Sequence, residues 1–354
     1  MSFSRLPPKF PRHVRKCYFL TLLKARILIL GMLARFRVKA TVLGLIATAL
    51  ATAANAGVAI KPPTGSFLEL DAGNVAWTQK QWEDELGAMK RAGMDTIIIN
   101  TTARDKYAFC RIKSCPLCDK RGTADPLDTL LTISEKLDLS VYLGFYSWNW
   151  HMEPTKQRFQ DYTRRCNQMA DELWANYGRH KAIVGWYALG WEMGDAPGKQ
   201  DAGVKAYRKI MKHLRGMTPK LPILISPYFS LDTSPDDIEK GWIKLLGVLK
   251  PDILAPQDGV GCDRGLTPDN VKPYFSAYCN AAKAAGVRFW ANVEVFDLPA
   301  GSKPAATERI VRQLQAVSPY VDKVIIYEYN HNLSEVRGQT GGTNLTAALE
   351  RLSH

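Results

Sequence analysis

The chain has 354 residues, of which 46% are hydrophobic and 23% are charged, and its formal net charge is +13. The first 56 residues hold ten Lys or Arg and no Asp or Glu, so the 298 residues that follow carry a formal charge of only +3. The net charge therefore gives no reason to expect a protein that binds nucleic acid or another polyanion. The remaining length is sufficient for one large core, such as a barrel domain of about 250 residues with long loops.

The basic N-terminal segment is followed by an apolar run at residues 40–54, which ends in Ala54-Asn55-Ala56. This order predicts a secretory signal peptide over residues 1–56, and Met32 would give it a more ordinary start. The apolar run is short for a membrane-spanning helix, which needs about 20 residues. An uncleaved N-terminal anchor is the alternative. We therefore expect a bacterial periplasmic or secreted protein without stable membrane insertion after cleavage.

Six cysteines follow the leader, and an even number in an oxidising compartment predicts disulfide bonds. The spacing between the first three is also compatible with a zinc site that takes a fourth ligand from further along the chain. Free thiols are the third alternative. The six residues are Cys110, Cys115, Cys118, Cys166, Cys262 and Cys279, and Cys166 is the candidate fourth ligand.

From Gly65 onward, short runs rich in β-branched and aromatic residues alternate with longer amphipathic stretches. Parallel strands covered by helices have this pattern. The predicted strands are residues 66–70, 96–100, 141–146, 183–191, 223–227, 253–257, 289–295 and 324–329. The predicted helices are residues 78–92, 126–137, 156–177, 200–216, 235–249, 267–285, 304–318 and 342–352. Eight strand–helix pairs predict a single (β/α)8 TIM barrel domain of the α/β class, spanning residues 57–354.

In this fold, residues just past the C-terminal ends of the strands line the mouth of the active site. The chain concentrates carboxylates, amides and aromatic residues at these positions, which is typical of a sugar-binding site. The candidate catalytic pair is Glu192, after strand 4, and Glu294, on strand 7. The candidate substrate-binding residues are Glu328, Trp148, Trp150, Tyr146, Trp191, Tyr228, Gln257, Asp258, Asn292 and Asn330. The same rim carries Glu69, Asp71, Asn100 and His331, to which the pattern assigns no role.

The geometry of an eight-stranded barrel tests whether the two glutamates can act as a pair. Strands 4 and 7 lie about 14 Å apart across such a barrel, and each Glu side chain reaches about 4 Å inward. The two carboxylates are then about 5 to 6 Å apart, nearer the separation in retaining glycosidases than the ~6.5 to 9.5 Å in inverting ones. The estimate favours retention and leaves inversion open.

Several sequence runs resemble known proteins: GSFLELD, GMDTIIIN, GWYALGWE, ISPYF, LAPQDGVG and FWANVEVF. They are similar to a family of bacterial glycoside-hydrolase-like barrels of unassigned function, over nearly the whole chain after the leader. The two glutamates also resemble the pattern of clan A retaining glycoside hydrolases. That resemblance implies Glu192 as general acid/base and Glu294 as nucleophile. Trp191 stands where those enzymes usually have an Asn that binds the sugar 2-hydroxyl.

The two acids need different environments, because the acid must hold a proton that the nucleophile lacks. We expect Trp186 and Trp191 to form an apolar wall for Glu192. We expect Asn292 and Tyr327 to donate hydrogen bonds toward Glu294.

Each candidate residue also has a structural alternative. A strand-end Glu, including Glu328, can cap a helix or pair with an Arg, and Asp258 can serve only the turn after strand 6. Trp148 and Trp150 can be packing residues. His151 and His331 have no partner at metal-ligand spacing, so we expect no metal and no cofactor.

These features predict an exported glycoside hydrolase or transglycosylase that acts on a bacterial polysaccharide by a retaining two-glutamate mechanism. We expect a monomer that binds polysaccharide or oligosaccharide and no nucleic acid. The alternative is a non-catalytic glycan-binding barrel that assists exopolysaccharide assembly or export. A third alternative, a non-glycosidic hydrolase of acyl or peptide bonds, lacks a nucleophile motif. Serine hydrolase and nucleotide chemistry have no support, because the chain lacks a G-x-S-x-G elbow and a P-loop.

Overall fold

The computed structural model describes residues 59–71, 73–104, 107–113, 125–147, 155–188, 201–229, 231–262, 265–301 and 303–352. They belong to one compact unit, Ala59–His354. Its eight parallel strands close into a barrel in chain order, which confirms the predicted (β/α)8 fold. The strands are β1 (Pro63–Leu68), β2 (Thr96–Ile99), β3 (Ser140–Leu143), β4 (Ile183–Tyr187), β5 (Ile223–Ile225), β6 (Ile253–Leu254), β7 (Arg288–Glu294) and β8 (Lys323–Tyr327).

A helix follows each strand and covers the outside of the barrel. The helices are α1 (Gln79–Arg91), α2 (Pro126–Lys136), α3 (Lys156–Tyr177), α4 (Asp201–Met217), α5 (Pro235–Leu249), α6 (Lys272–Ala285), α7 (Thr307–Val317) and α8 (Gly341–Leu352). A short helix, Tyr329–Asn332, directly follows β8. In the described part of the chain, no helix combines the length and apolarity that crossing a bilayer requires.

Side-chain caps fix where several of the predicted helices begin. Thr78 and Gln81 form a reciprocal capping box at the start of α1, and Ser234 caps α5 with Pro235 in its first turn. The largest difference is at α6, predicted from residue 267 but beginning at Lys272. Pro273 lacks the N–H that an earlier start would require. Residues 267–270 instead form a turn in which the Thr267 N–H donates to the Asn270 side chain.

The core lies inside the barrel and between the barrel and its helices. Strand β2 is buried along its whole length, as expected for a parallel strand covered on both faces. Trp82, Trp186 and Trp242 are fully buried in this core. At the rim, Phe296–Asp297 pairs with Lys303–Pro304 as a hairpin directly after β7.

The described cysteines do not confirm the predicted disulfide framework. No disulfide joins Cys110, Cys166, Cys262 or Cys279 to another described residue. Cys110, Cys166 and Cys279 are buried, whereas Cys262 is half-buried at the rim. Buried thiols pack as small apolar side chains. Cys115 and Cys118 lie outside the described residues, so the zinc alternative stays a prediction.

Candidate active site

Glu294 is the last residue of β7, and its carboxylate is held by the loop that follows β6. The residue is 1% exposed. Its Oε2 accepts hydrogen bonds from the backbone N–H groups of Gly261, at 2.8 Å, and Cys262, at 3.1 Å. The Cys262 Sγ lies 3.7 Å from the other carboxylate oxygen, Oε1. Two backbone donors aimed at one oxygen stabilise negative charge there.

Gly261 is required for this close approach of loop and strand. A Cβ at this position would lie 2.6 Å from the Phe296 carbonyl oxygen and 2.9 Å from the Glu294 Cβ. The first of these neighbours is backbone and cannot rotate away. Glycine therefore permits the loop to bring its N–H groups within hydrogen-bonding distance of the carboxylate.

Asp258 lies beneath Glu294 and is fully buried. Its Oδ1 accepts the backbone N–H groups of Glu294, at 3.1 Å, and Val260, at 3.3 Å. Gln313, on α7, donates from Nε2 to Asp258 Oδ2 and to the Glu294 carbonyl oxygen. Burial raises the pKa of Asp258 to about 6, although hydrogen bonds from Gln313, Glu294 and Val260 oppose the change. The predicted substrate-binding role of Asp258 would require substrate to reach a side chain that these groups enclose.

A second buried carboxylate, Glu69, lies just past β1 on the same rim. Its Oε1 accepts hydrogen bonds from Asn100 Nδ2 and from the Tyr327 hydroxyl. Tyr327 is paired in register with Glu294, and its ring centroid lies 6.1 Å from that of Phe296. Because β8 lies between β7 and β1, Tyr327 separates the two carboxylates along the rim.

A third group of ionisable side chains joins the loop after β1 to the short helix after β8. His331 lies between two carboxylates, with Nε2 2.6 Å from Asp71 Oδ2 and Nδ1 2.6 Å from Glu328 Oε1. Arg337 also donates to Asp71 Oδ2, at 3.1 Å. The hydrogen bonds to Asp71 and Glu328 raise the pKa of His331 to about 9. His331 is therefore a cation at neutral pH.

The two carboxylates respond differently to this arrangement. Burial tends to raise the pKa of Asp71, but the hydrogen bonds from His331 and Asn74 and the charge of Arg337 bring it well below its usual range. Burial raises the pKa of Glu328 despite its hydrogen bond with His331. Glu328 also caps the short helix through the His331 N–H, at 3.4 Å. The structural alternative for Glu328 thus has direct contacts to support it.

We expect His331→Gln to remove a pH dependence of stability. The pKa of His331 is about 9 in the folded chain and about 6.5 in an unfolded one. Its stabilising contribution is complete below pH 6.5 and is lost as the pH rises to about 9. Because its side chain is 39% exposed, solvent screening reduces the loss to about 1 to 2 kcal/mol. Urea unfolding at pH 6.5 and 9.5 measures the free energy of unfolding.

The matched control for this experiment is His213→Gln, which removes a histidine paired with the exposed Asp171. We expect the pH dependence to change more in His331→Gln than in this control. If the two variants change it equally, His331 does not supply the stabilising charge.

Two expectations about hydrogen bonds and packing near the catalytic pair are corrected. Asn292 is fully buried and donates to Ser226 Oγ at 3.0 Å, one layer below Glu294 on the same strand. Among the described residues, the donors to the Glu294 carboxylate are the N–H groups and the Cys262 thiol of the loop, and the Tyr327 hydroxyl donates to Glu69 instead. Trp186 packs outside the barrel, stacked on Phe145 and hydrogen-bonded to Thr218 on the helix side. Successive side chains on a strand point to opposite faces, so the inward residue is Tyr187 and not Trp186.

The other predicted substrate-binding residues fall into three groups. Asn330 is buried and its amide bonds to the Glu69 backbone, at 3.1 Å and 3.3 Å. Tyr146 is also buried, whereas Tyr228 and Gln257 are half-buried at the rim. The third group lies outside the described residues and consists of Trp191, Trp148 and Trp150, and the catalytic candidate Glu192 also lies outside them. The distance between Glu192 and Glu294 therefore stays a prediction.

Four residues at this site were not assigned a role from the sequence. Glu69 lies at a strand end and carried a usable signal, namely a carboxylate between two apolar strand residues. Gly261 and Cys262 act through their backbone N–H groups, and the type of a residue does not show whether its N–H group takes part in a site. Gln313 reaches the site from α7, 55 positions along the chain from Asp258. Only the closed barrel brings these groups together.

Glycoside hydrolases are among the solved structures with a similar barrel. A protein of Bacteroides thetaiotaomicron, provisionally assigned as an α-L-fucosidase, is 23% identical with a TM-score of 0.71, over 83% of this chain and 96% of that chain. A GH18 chitinase from Pseudoalteromonas aurantia is 12% identical with a TM-score of 0.52, over 82% and 99%. The cellulose synthase subunit Z of Clostridioides difficile is 14% identical with a TM-score of 0.53, over 81% and 99%.

At these identities, the likeness shows a shared fold. No curated protein sequence matches the chain significantly. A family model described as a domain of unknown function, DUF4434, matches residues 64–336. This match spans most of the barrel, from β1 to the segment that follows the short helix after β8, and the chain therefore belongs to the DUF4434 family.

Proposed function

We propose that this protein is an exported glycoside hydrolase or transglycosylase that acts on a bacterial polysaccharide. The observation that carries the proposal is the environment of Glu294, a buried carboxylate at the C-terminal end of a barrel strand with two N–H donors on one oxygen. Catalytic groups of TIM barrels come from this end of the strands. The glycoside hydrolases among the fold neighbours support the same reaction class.

In the proposed mechanism, Glu294 is the nucleophile of a double displacement. The Gly261 and Cys262 N–H groups hold Oε2, and Oε1 attacks the anomeric carbon to form a glycosyl ester. Glu192 protonates the leaving oxygen and then takes a proton from the water or the acceptor sugar that cleaves the ester. The configuration at the anomeric carbon is inverted twice and is thereby retained.

The neighbouring rim supplies groups suited to sugar hydroxyls. Asn100 and Tyr327 are half-buried and already bonded to Glu69. In our proposal a sugar hydroxyl donates to Glu69 while Asn100 and Tyr327 fix the position of its carboxylate. Phe296, beside Tyr327, offers an apolar face to the ring. Our proposal keeps Trp148, Trp150 and Trp191 as sugar-binding residues.

The test is release of oligosaccharides from natural glycans. The mature protein, residues 57–354, is incubated with exopolysaccharides and cell-wall glycans of the producing organism, and soluble products are identified by mass spectrometry. We expect products with the wild type and none with Glu294→Gln. Equal release by both proteins excludes Glu294 as the nucleophile, and no release from any glycan excludes the hydrolase.

The alternative function is a non-catalytic barrel that binds glycan during exopolysaccharide assembly or export. The low exposure of Glu294, 1%, favours this alternative, because the carboxylate is enclosed by its own loop. Binding without cleavage, measured by calorimetry with the same glycans, would support it. In that case Glu294→Gln is expected to change affinity little, since the carboxylate then has only a structural task.

A further inference from the structure

We propose that Asp258 is a positioning residue for Glu294, holding the donor loop and the end of β7 in a fixed mutual arrangement. The inference rests on the proposed function only for its kinetic readout. In this proposal Asp258 touches neither substrate nor reacting atoms, because the Glu294 and Val260 N–H groups and Gln313 already bond both of its buried carboxylate oxygens. It acts on the catalytic carboxylate through the backbone on both sides of it.

The geometry of Asp258 Oδ1 connects the two partners directly. This one oxygen accepts the Glu294 N–H at 3.1 Å and the Val260 N–H at 3.3 Å. The next two residues of the loop, Gly261 and Cys262, donate to Glu294 Oε2. A displaced Asp258 would therefore change the distance between the carboxylate and its donors.

A second connection comes from α7. Gln313 Nε2 donates to Asp258 Oδ2 at 2.6 Å and to the Glu294 carbonyl oxygen at 3.0 Å. Gln313 is fully buried, and its Oε1 has no hydrogen-bond partner among the described residues. The amide orientation is thus set by the two acceptors, and an ionised Asp258 is one of them.

The charged groups that face Asp258 are Glu294 on β7 and Arg309 on α7. Arg309 donates from Nη2 to the Phe296 carbonyl oxygen, and its charge favours an ionised Asp258. Hydrogen bonds to an ionised acceptor are roughly twice as strong as those between neutral groups. Loss of the charge is therefore expected to weaken both backbone contacts without removing the acceptor atom.

The test uses Asp258→Asn, which keeps shape and the Oδ1 acceptor but places an NH2 group against Gln313 Nε2. The readout independent of glycan is alkylation of thiols by iodoacetamide, followed by peptide mapping. Cys262 lies in the held loop and is half-buried, whereas Cys166 and Cys279 are buried elsewhere. We expect Cys262 to react about tenfold faster in Asp258→Asn, with Cys166 and Cys279 unchanged, because local opening exposes a thiol that the native loop protects.

Two further variants make the experiment decisive. Gln313→Met removes the donor from α7 and is expected to raise Cys262 alkylation about threefold. Asp252→Asn is the matched control, since Asp252 accepts the Ile223 N–H at the opposite end of the barrel, and it is expected to leave Cys262 unchanged. An unchanged Cys262 rate in Asp258→Asn overturns the proposal, as does equal acceleration at all three cysteines.

The kinetic readout applies once a cleaved glycan is known. Asp258→Asn is expected to lower kcat about 100-fold while KM changes less than about threefold, because the defect lies in the carboxylate and not in sugar contacts. Because kcat is calculated for equal amounts of folded protein, a proportional loss of active protein does not imitate this result. If the protein cleaves no glycan, the alkylation experiment still tests the positioning role of Asp258. The two proposals can therefore be contradicted separately.

Discussion

Glu294→Gln is expected to lower kcat/KM for glycan cleavage by at least about 10⁴-fold, which corresponds to about 5 kcal/mol of transition-state stabilisation. The amide has nearly the shape of the carboxylate but cannot form the glycosyl ester. If the glutamine NH2 group takes the position of Oε2, it faces the N–H groups of Gly261 and Cys262, and donors then face donors. Initial rates on the released oligosaccharide, with equal amounts of folded protein, measure the effect.

A second variant identifies the role of Glu294 and not only its importance. Glu294→Gly leaves a cavity beside the anomeric carbon, which azide can enter and act as an external nucleophile. If Glu294 is the nucleophile of a retaining enzyme, azide restores turnover and gives a glycosyl azide of inverted configuration. A product of retained configuration would assign Glu294 as the acid/base, and the roles of the two glutamates would then be exchanged.

The control for both variants is Glu308→Gln, on the first turn of α7. Glu308 is exposed and lies on the helix that carries Gln313. Its activity is expected to stay within twofold of wild type. A comparable loss in Glu308→Gln would show that the assay responds to changes in general stability and would contradict the specific role of Glu294.

The barrel could be predicted because its signal is repeated along the chain. Strand β2, whose residues 97–99 are three successive isoleucines, shows the apolar run of a strand buried on both faces. The Ser234-Pro235 pair marked the start of α5 to the residue. The start of α6 was predicted too early because Thr267-Pro268 has the sequence of a helix start. The helix begins at Lys272 instead, with Pro273 in its first turn. Two valid start signals competed, and only the later one is used.

The site could be predicted only in part, for a physical reason. Glu294 was found because an acid at a strand end interrupts an apolar run. Its donors were misassigned to Asn292 and Tyr327, since a sequence reveals side-chain groups but not the direction of backbone N–H groups. Trp186 was predicted on the inner face of the barrel but lies on the outer face, because a shift of one residue along a strand moves a side chain from one face to the other. Closure of the loop after β6 onto β7 depends on Gly261, a tertiary contact without a local signal.

The largest pH effect on stability is expected from Glu85, a fully buried residue on α1. Its Oε2 accepts from the Ser334 hydroxyl, while Oε1 has no hydrogen-bond partner in the described part of the chain. Burial raises the pKa of Glu85 to about 7, although Ser334 and Arg337 oppose the change. Glu85 is therefore largely protonated in the folded chain at pH 6, where an unfolded chain would carry it as a carboxylate.

The sign of the resulting pH dependence follows from the raised pKa. The folded chain binds more protons than the unfolded chain between about pH 4.5 and pH 7, so the free energy of unfolding falls as the pH rises through this range. The total loss is about 3 kcal/mol, at about 1.4 kcal/mol for each unit of pKa. Glu85→Gln has no proton to lose and is expected to gain about 3 kcal/mol relative to wild type between pH 4.5 and pH 8.

Urea unfolding of wild type and Glu85→Gln across this range measures the difference, from which the contributions of Asp258 and His331 cancel because both proteins retain them. Glu83→Gln is the matched control, on the same helix but half-buried and bonded to Gln79. It is expected to follow the wild-type curve. Parallel curves for wild type and Glu85→Gln would mean that Glu85 is ionised in the folded chain, and they would contradict the prediction.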